Sequence, residues 1–169
     1  SETIQSASHV IFPGVGEASS AMAKLKRTQL DTLIPELIQP VLGICLGMQL
    51  MCNSSEEGNT KGLGIFDTEV VRFTTTRNVP HMGWNVVRPV MGHHLWRGIE
   101  PGTRFYFVHS YHVVPDDQAV IAGTFDYGLT GCAAIAQENL FATQFHPEKS
   151  HTAGLTLLKN FLDWDGTCL

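Results

Sequence analysis

Apolar positions in the first third of the chain form short unbroken runs separated by helically spaced residues. The runs at 10–12 and 41–44 are typical of buried strands, and apolar side chains recur at helical spacing between about 18 and 37. Pro35 lies inside that helical pattern and predicts that the helix divides there. A second helix is predicted from 46 to about 52, followed by a loop rich in Gly, Ser and Asn.

From residue 66 onward the pattern predicts mainly strands. The segments are "TEVVRF", "NVVRP", "TRFYFVHSYHVV", "AVIAGTFDY" and "CAAIAQENLFATQFH", and "AGLTLLKNFLDW" predicts a closing helix. Helix-linked apolar strands followed by hairpin-like strands are typical of an α/β fold. We expect a mostly parallel central sheet flanked by helices, with an added antiparallel section, formed by residues 1–169 as one domain.

Composition narrows the class of protein and of partner. The 169 residues are 43% hydrophobic and 16% charged, as in ordinary globular domains. The net charge of −5 argues against nucleic acid or an anionic membrane as a partner. No apolar run approaches the roughly 20 residues of a membrane helix. The chain opens without Met and reaches a strand only at residue 10, so we expect an N-terminal strand–helix unit to be missing.

The cysteine pattern predicts neither a disulfide frame nor a metal site, and we expect no cofactor. The four cysteines lie far apart without a CxxC pair, which fits a reducing cytoplasm. Cys52, Cys132 and Cys168 are interpreted as small buried hydrophobes, the usual fate of a free cysteine.

Cys45 is different because it lies in "GICLGMQL", between a predicted strand and a predicted helix. Gly43 and Gly47 flank it, and small neighbours are what a sharp strand-to-helix turn requires. A side chain on such a turn points out of the fold, as in a nucleophile elbow, and a thiolate there is a strong nucleophile. The alternative is one more buried cysteine.

His146 is the candidate base. It ends the apolar strand of "FATQFHPEKS", and Pro147 biases it toward an extended conformation. Residues i and i+2 of an extended segment project to the same side, so Glu148 can bond the imidazole and fix its tautomer. The alternative is a histidine in a surface turn.

A thiolate that attacks a carbonyl creates an oxyanion, which needs hydrogen-bond donors already in place. The amide of Leu46, next to the candidate nucleophile, is one predicted donor. The segment "PGVG" follows the first buried strand and offers amides of Val15 and Gly16 as the second. Taken by itself, "PGVG" fits an ordinary loop equally well.

Together, "PGVG", "GICLGMQL" and "QFHPEKS" resemble the class I (triad) glutamine amidotransferases, in the family's order along the chain. The resemblance implies that Cys45 attacks the carboxamide of glutamine, that ammonia leaves, and that water hydrolyses a glutamyl thioester. His146 would carry the proton and Glu148 would orient it. The residues that the resemblance assigns to binding of the substrate are Gly14, Gly47, Gln49, Ser110 and Tyr111.

"VPHMGWNVV" and "FYFVHSYHV" are similar to one subfamily, the glutaminase subunits of imidazole glycerol phosphate synthase. Considered without the resemblance, "PHMGWN" is a short segment that contains Pro and Gly, and its Trp and Met fit either an interface or a core. The resemblance implies that Met82, Trp84 and Asn85 face a (β/α)₈-barrel cyclase partner, with Lys149 near that interface. It also implies delivery of ammonia to the partner.

Three other functions stay open on the sequence. The chain could serve another class I amidotransferase, for pyridoxal phosphate, GMP or anthranilate synthesis, which "PHMGWN" disfavours. It could be a non-catalytic assembly subunit, which the intact triad disfavours. It could be a cysteine peptidase on a similar scaffold, which leaves Gln49 and "PHMGWN" without a role.

Overall fold

The computed structural model describes residues 1–168 and contains short helices interleaved with strands. The helices and strands in chain order are α1 (Glu2–Ser6), β1 (Val10–Phe12), α2 (Ala18–Arg27), α3 (Leu30–Leu33), β2 (Val41–Ile44), α4 (Leu46–Leu50), β3 (Cys52–Ser55), β4 (Thr60–Lys61), β5 (Phe66–Arg72), β6 (His81–Val86), β7 (Arg88–Pro89), β8 (Arg104–His109), β9 (Tyr111–Pro115), β10 (Ile121–Asp126), β11 (Thr130–Gln137), β12 (Leu140–Thr143) and α5 (His151–Asp163).

The central sheet has six strands in the order β1-β2-β12-β11-β10-β7. β1, β2 and β12 are parallel, whereas β12, β11, β10 and β7 pair in antiparallel fashion. The predicted α/β class, with a parallel sheet that continues into an antiparallel section, is confirmed. The central sheet has two parallel and three antiparallel strand pairings, so it is a mixed sheet and not a mostly parallel one.

Two smaller sheets lie beside the central one, with orders β4-β3-β5-β9 and β6-β8. The sequence predicted one continuous strand in "TRFYFVHSYHVV", and this was wrong, because the segment changes sheets at Ser110. β8 pairs with β6, and β9 pairs with β5. The change of sheet leaves Ser110 between two strands, where its carbonyl accepts a hydrogen bond from Phe73 N–H over 3.1 Å.

Three boundaries in the first half of the chain also differ from the prediction. The helical pattern breaks at Gln29, which adopts a left-handed conformation with φ 59°, while Pro35 lies within a short 3₁₀ turn. Helix α4 ends at Leu50, and the predicted loop begins instead with β3, a parallel neighbour of β5. Strand β3 was not predicted because it is only partly buried and carries polar side chains such as Asn53, which resemble those of a loop.

Aromatic side chains fill the core between the central sheet and α5. Among those fully buried are Phe105, Phe107, Phe125, Phe141, Phe145 and Phe161. All four residues of β2 and all four of β12 are buried as well. The strands that carry the candidate site therefore sit in close-packed surroundings that resist displacement.

Within residues 1–168, none of the helices combines the length and the apolar character that crossing a bilayer requires.

The parallel part of the sheet determines where the candidate site forms. Phe12 pairs with Gly43, and Ile44 pairs with Thr143, so β1, β2 and β12 end at one edge. The carboxyl ends of parallel strands are where α/β proteins place their ligands. This edge brings together the loop 13–16, Cys45 and the segment 144–146.

Candidate active site

Cys45 occupies the bend between β2 and α4, as the sequence predicted. Its backbone has φ 54° and ψ −108°, which costs a non-glycine residue roughly 1–3 kcal/mol. Two hydrogen bonds hold this bend: Cys45 N–H donates to the carbonyl of Thr143 over 2.8 Å, and Cys45 C=O accepts from Gln49 N–H over 3.2 Å. The strained position is therefore fixed by the neighbouring strand and by the first turn of the helix.

The two glycines beside Cys45 are needed for close packing. A Cβ on Gly47 would overlap the carbonyl oxygen of Phe12, where α4 crosses the end of β1. A Cβ on Gly43 would lie 3.0 Å from the sulfur of Met51 and 3.2 Å from the Cβ of Ala142. The bend can therefore be this tight only with small residues on both sides.

His146 and Glu148 form the pair that the extended segment predicted. His146 Nδ1 lies 2.8 Å from Glu148 Oε2, and the imidazole is buried while the carboxylate is half-exposed. A carboxylate can only accept, so Nδ1 carries a proton, and Nε2 keeps its lone pair when the imidazole is neutral. His146 Nε2 is buried and has no hydrogen-bond partner in residues 1–168. It is thus free to take a proton from a reacting group.

Cys45 and His146 line one cavity of about 330 Å³, near the lower end of the volumes typical of small-molecule sites. The two side chains are not hydrogen-bonded to each other in the described chain. The thiol instead donates toward the carbonyl of Val108, 3.9 Å away, and accepts from Gln144 Nε2 over 3.7 Å. Cys45 and His146 therefore share a cavity without a hydrogen bond between their side chains.

Burial raises the pKa of the Cys45 thiol to about 11, and the nearby charge of Glu148 acts in the same direction. The amides of Leu46 and Gln144 act against this rise by donating hydrogen bonds to the sulfur. The net effect leaves a neutral thiol at pH 7. Activation requires a base at the sulfur or a change in its surroundings.

The residues predicted to supply the oxyanion donors line the same cavity as Cys45. The N–H of Leu46 donates toward it, and Val15 and Gly16 line the cavity. Gly14 is packed against the bend, since a Cβ there would lie 3.0 Å from the Cβ of Leu46. Gly16 has φ 104°, a backbone conformation that suits glycine. The loop 13–16 and the first amide of α4 thus face one pocket.

The predicted substrate-binding segment also lines this cavity. Ser110 and Tyr111 line the cavity together with Gln49. Gln49 Nε2 donates to the carbonyl of Tyr111 over 3.1 Å and to Gln144 Oε1 over 3.0 Å. Gly47, also predicted to contact the substrate, is buried against β1, where its role is steric.

Several residues of the site were missed from the sequence: Pro80, Val108 and His109 line the cavity, and Gln144 and Glu57 take part in hydrogen bonds around it. Gln144 is fully buried and touches both Gln49 and Cys45. A lone polar residue in the apolar run "LFATQF" was the available signal. Glu57 lines the cavity and accepts a hydrogen bond from Ala18 N–H over 2.8 Å. Glu57 was not predicted as a site residue because its segment was interpreted as an ordinary loop.

Strand β6 carries three of the four predicted interface residues and places them on two different sides. Met82 and Trp84 are exposed large side chains, and Trp84 stacks on the ring of His151 at 5.2 Å. Asn85 faces the other side of the strand, where its amide bonds the carbonyl of Asp126 and the ring of His81. Lys149 is exposed at the rim of the cavity.

The other cysteines differ from Cys45. Cys52 and Cys132 are buried as predicted, and burial raises the pKa of both thiols, that of Cys132 to about 12. Cys168 was predicted to be buried, and this was wrong, because it lies exposed after the last helix. None of the three lines the cavity that holds Cys45.

A cysteine on a strand-to-helix bend that shares a cavity with an imidazole–carboxylate pair is an arrangement typical of thiol-dependent acyl-transfer enzymes. Residues 2–164 match the family described as "Glutamine amidotransferase class-I". The chain belongs to this family of glutamine amidotransferases.

Curated relatives share about half of the residues. The chain is 49% identical over 168 residues to "Imidazole glycerol phosphate synthase subunit HisH" of Acinetobacter baylyi, covering 96% of this chain and 82% of the relative. It is 52% identical over 165 residues to the protein of the same name from Bacteroides fragilis, covering 96% and 83%.

Solved structures of glutamine amidotransferases share the fold at low sequence identity. One has a TM-score of 0.69 and 18% identity, covering 96% of this chain and 81% of that one. Another, from Thermotoga maritima, has a TM-score of 0.63 and 20% identity, covering 92% of this chain and 63% of that one.

Proposed function

We propose that the chain is the glutaminase subunit of an imidazole glycerol phosphate synthase. It hydrolyses L-glutamine to glutamate and ammonia, and the ammonia passes through a channel to a (β/α)₈-barrel cyclase. The cyclase reaction, with lyase chemistry, yields imidazole glycerol phosphate and an aminoimidazole carboxamide ribotide in histidine biosynthesis. The observation that carries the proposal is the shared cavity of Cys45 and the His146–Glu148 pair, in a chain whose relatives are named as subunits of this synthase.

The first half of the proposed reaction transfers the glutamyl group to sulfur. His146 Nε2 takes the thiol proton of Cys45, and the thiolate attacks the carboxamide carbon. The amide of Leu46 and the loop of Val15 and Gly16 stabilise the resulting oxyanion. The imidazolium, held by Glu148, then protonates the leaving nitrogen, which departs as ammonia.

The second half releases glutamate. The neutral imidazole of His146 now takes a proton from water, and the hydroxide attacks the thioester carbonyl. A second tetrahedral intermediate forms in the same donor pocket, the C–S bond breaks, and the sulfur of Cys45 recovers its proton from the imidazolium. No cofactor enters this sequence of steps.

The amino-acid end of glutamine carries a carboxylate and an ammonium group, and the cavity offers groups for both. We propose that Gly14, Gln49 and the backbone of Ser110 and Tyr111 contact this end of the substrate. Glu57 is the carboxylate among the described residues that line the cavity, so it suits the ammonium group.

The proposed partner face is the exposed side of β6 with the neighbouring rim of the cavity. Met82 and Trp84 are 61% and 42% exposed, and large apolar side chains of this kind anchor interfaces. Lys149 adds a positive charge beside them. Asn85 lies on the inward side of the same strand, where it bonds the carbonyl of Asp126 and the ring of His81. We place the protein in the cytoplasm, where its free cysteines stay reduced.

The raised pKa of Cys45 and its lack of a hydrogen bond with His146 support low activity in the free chain. The test is glutamine hydrolysis by the purified chain alone, with the cyclase, and with the cyclase plus its nucleotide substrate. We expect the rate to rise at least tenfold across the series. Equal rates would contradict gating, and hydrolysis coupled only to another synthase would contradict the assignment.

A further inference from the structure

Two buried imidazoles lie directly behind the proposed partner face. His81 and His109 are opposite each other in the β6–β8 pair and are 2% and 6% exposed. Their rings meet through His81 Nδ1 and His109 Nε2, 2.9 Å apart. The proposed reaction gives neither of them a role.

When both rings are neutral, only one assignment of hydrogen-bond donors and acceptors satisfies the contacts of His81 and His109. His109 Nδ1 lies 2.8 Å from the carbonyl of Tyr111, which can only accept, so Nδ1 carries the proton. His109 Nε2 then accepts from His81 Nδ1–H, and His81 Nε2 accepts from the amide of Asn85 over 3.2 Å. Burial lowers the pKa of His81 to about 4 and that of His109 to about 3, so both rings are neutral at pH 7.

The inner end of this relay reaches the nucleophile. The carbonyl of Tyr111 accepts from His109 and also from Gln49 Nε2. Gln49 bonds Gln144, and Gln144 donates to the sulfur of Cys45. The segment 109–111 is therefore held from both sides, by an imidazole and by an amide that is linked to the thiol.

The outer end lies on the strand that carries Met82 and Trp84. Side chains alternate along a strand, so those two residues point outward while His81 and Asn85 point inward. A shift of β6 that a partner induces on its outer side would move the inward residues by the same distance. The relay thereby joins the exposed strand to the wall of the cavity.

We propose that His81 and His109 are positioning residues that fix the Tyr111 carbonyl and couple strand β6 to the glutamine cavity. This rests on the proposed function and specifies how its partner face communicates with its site. The coupling requires a demonstrated energetic link and not contact alone.

Core packing is the competing explanation. His81 stacks on Tyr127, Phe107 and Phe125, with ring centroids 4.1, 4.6 and 5.0 Å away. His112 provides a matched control, since it stacks on Phe73 at 4.6 Å in the same cluster. Its Nδ1 is buried without a hydrogen-bond partner in the part of the chain that the structure describes. His112 therefore shares the packing but lies outside the relay and outside the cavity, which His109 also lines, so His109→Asn is the variant that separates the hydrogen bond to Tyr111 from the loss of the cavity wall.

The kinetic test uses the complex with the barrel cyclase and compares His109→Phe, His109→Asn and His112→Phe. Loss of the bond to Tyr111 should raise KM for glutamine about five- to tenfold in His109→Phe. His109→Asn keeps a donor near the Nδ1 position, so its KM for glutamine should rise by no more than half as much as that of His109→Phe. His112→Phe should stay within about twofold, with a melting temperature matching that of His109→Phe. Equal effects of His109→Phe and His112→Phe, or no recovery in His109→Asn, would overturn the proposal.

A double-mutant cycle tests the coupling. Asn85→Ala alone should reduce partner stimulation of the glutaminase by about two- to fourfold, as for one hydrogen bond. Added to His109→Phe, it should reduce stimulation by little more than His109→Phe does alone. If the two factors multiply instead, β6 and the cavity are independent.

Imidazole NMR separates this proposal from the proposed function. In the ¹⁵N-labelled wild-type chain at pH 7, both His81 and His109 should be neutral with the proton on Nδ1. A proton on Nε2 of His109 would refute the relay even in an active enzyme. If the wild-type complex hydrolysed no glutamine, the proposed function would fail, and the tautomers would still decide whether the relay exists.

Discussion

The side-chain amide of Gln144 lies 3.7 Å from the sulfur of Cys45, and the same side chain accepts from Gln49 through its oxygen. Gln144 directly follows β12, and Cys45 directly follows β2, the parallel neighbour of β12. The Cys45 thiol thus takes its resting orientation from the adjacent strand, two residues before His146.

Removing this amide should weaken both the site and the fold. We expect Gln144→Ala to lower kcat/KM for glutamine about fivefold or more, because one hydrogen bond that orients the thiol is lost. The buried amide of Gln49 also loses a partner, which should lower the free energy of unfolding by about 1–3 kcal/mol. Steady-state kinetics and chemical denaturation measure the two effects. Gln118→Ala, in an exposed turn, is the control and should change neither.

Glu148 should act through the imidazole and not through binding. Glu148→Gln keeps the shape but removes the charge that stabilises the imidazolium, so kcat should fall about 10²–10⁴-fold with KM within threefold. Glu100→Gln, at an exposed position, is the matched control. A variant of Glu148 with near-normal kcat would mean that His146 needs no orienting carboxylate.

The raised thiol pKa predicts how alkylation depends on pH. Burial moves the pKa of Cys45 from its ordinary 9.0 to about 11, and only the thiolate reacts. In the free chain, inactivation by a glutamine-derived chloroketone should therefore accelerate about tenfold per pH unit between pH 7 and 10. Iodoacetamide should instead modify the exposed Cys168 first, so the experiment uses Cys168→Ser as its background. A rate that levels off near pH 8 would contradict the raised pKa.

The bend at Cys45 should not tolerate a methyl group at Gly47. A Cβ there overlaps the carbonyl of Phe12, so Gly47→Ala should destabilise the fold by about 2 kcal/mol or more and abolish activity. Gly92→Ala meets no atom within 4 Å and should leave the melting temperature unchanged or slightly raised. Equal melting temperatures for the two variants would show that α4 can move away from β1.

The exposed tryptophan of β6 should contribute to partner binding. Trp84→Ala should weaken binding of the cyclase by about 2 kcal/mol, or roughly thirtyfold, as for an interface anchor. Glutamine hydrolysis by the free chain should be unchanged. Leu162→Ala removes a similarly exposed apolar side chain from α5 and should not affect binding. Titration calorimetry distinguishes the two surfaces.

The sequence predicts the parts of the site that depend on local geometry. Gly43 and Gly47 identified the bend, because a sharp turn needs small neighbours. The spacing of His146 and Glu148 identified their hydrogen bond, because an extended chain repeats every two residues. Both features can be inferred without knowing where distant segments lie.

What the sequence did not predict depends on pairing between distant segments. Gln144 looked like part of an apolar strand until β12 was placed beside β2. The exchange of sheets at Ser110 follows from the different partners of β8 and β9. His81 and His109 meet only because β6 and β8 pair in one register. Local patterns do not determine such long-range partners.

The most direct measurement is ammonia release from glutamine by Cys45→Ala beside the wild type, both in complex with the barrel cyclase. A nucleophile on the bend of β2 and α4 predicts that the variant releases at least about 10³-fold less ammonia, while the complex still uses added ammonium chloride at the wild-type rate. Hydrolysis by the variant at a tenth of the wild-type rate or more would contradict the role of this thiol.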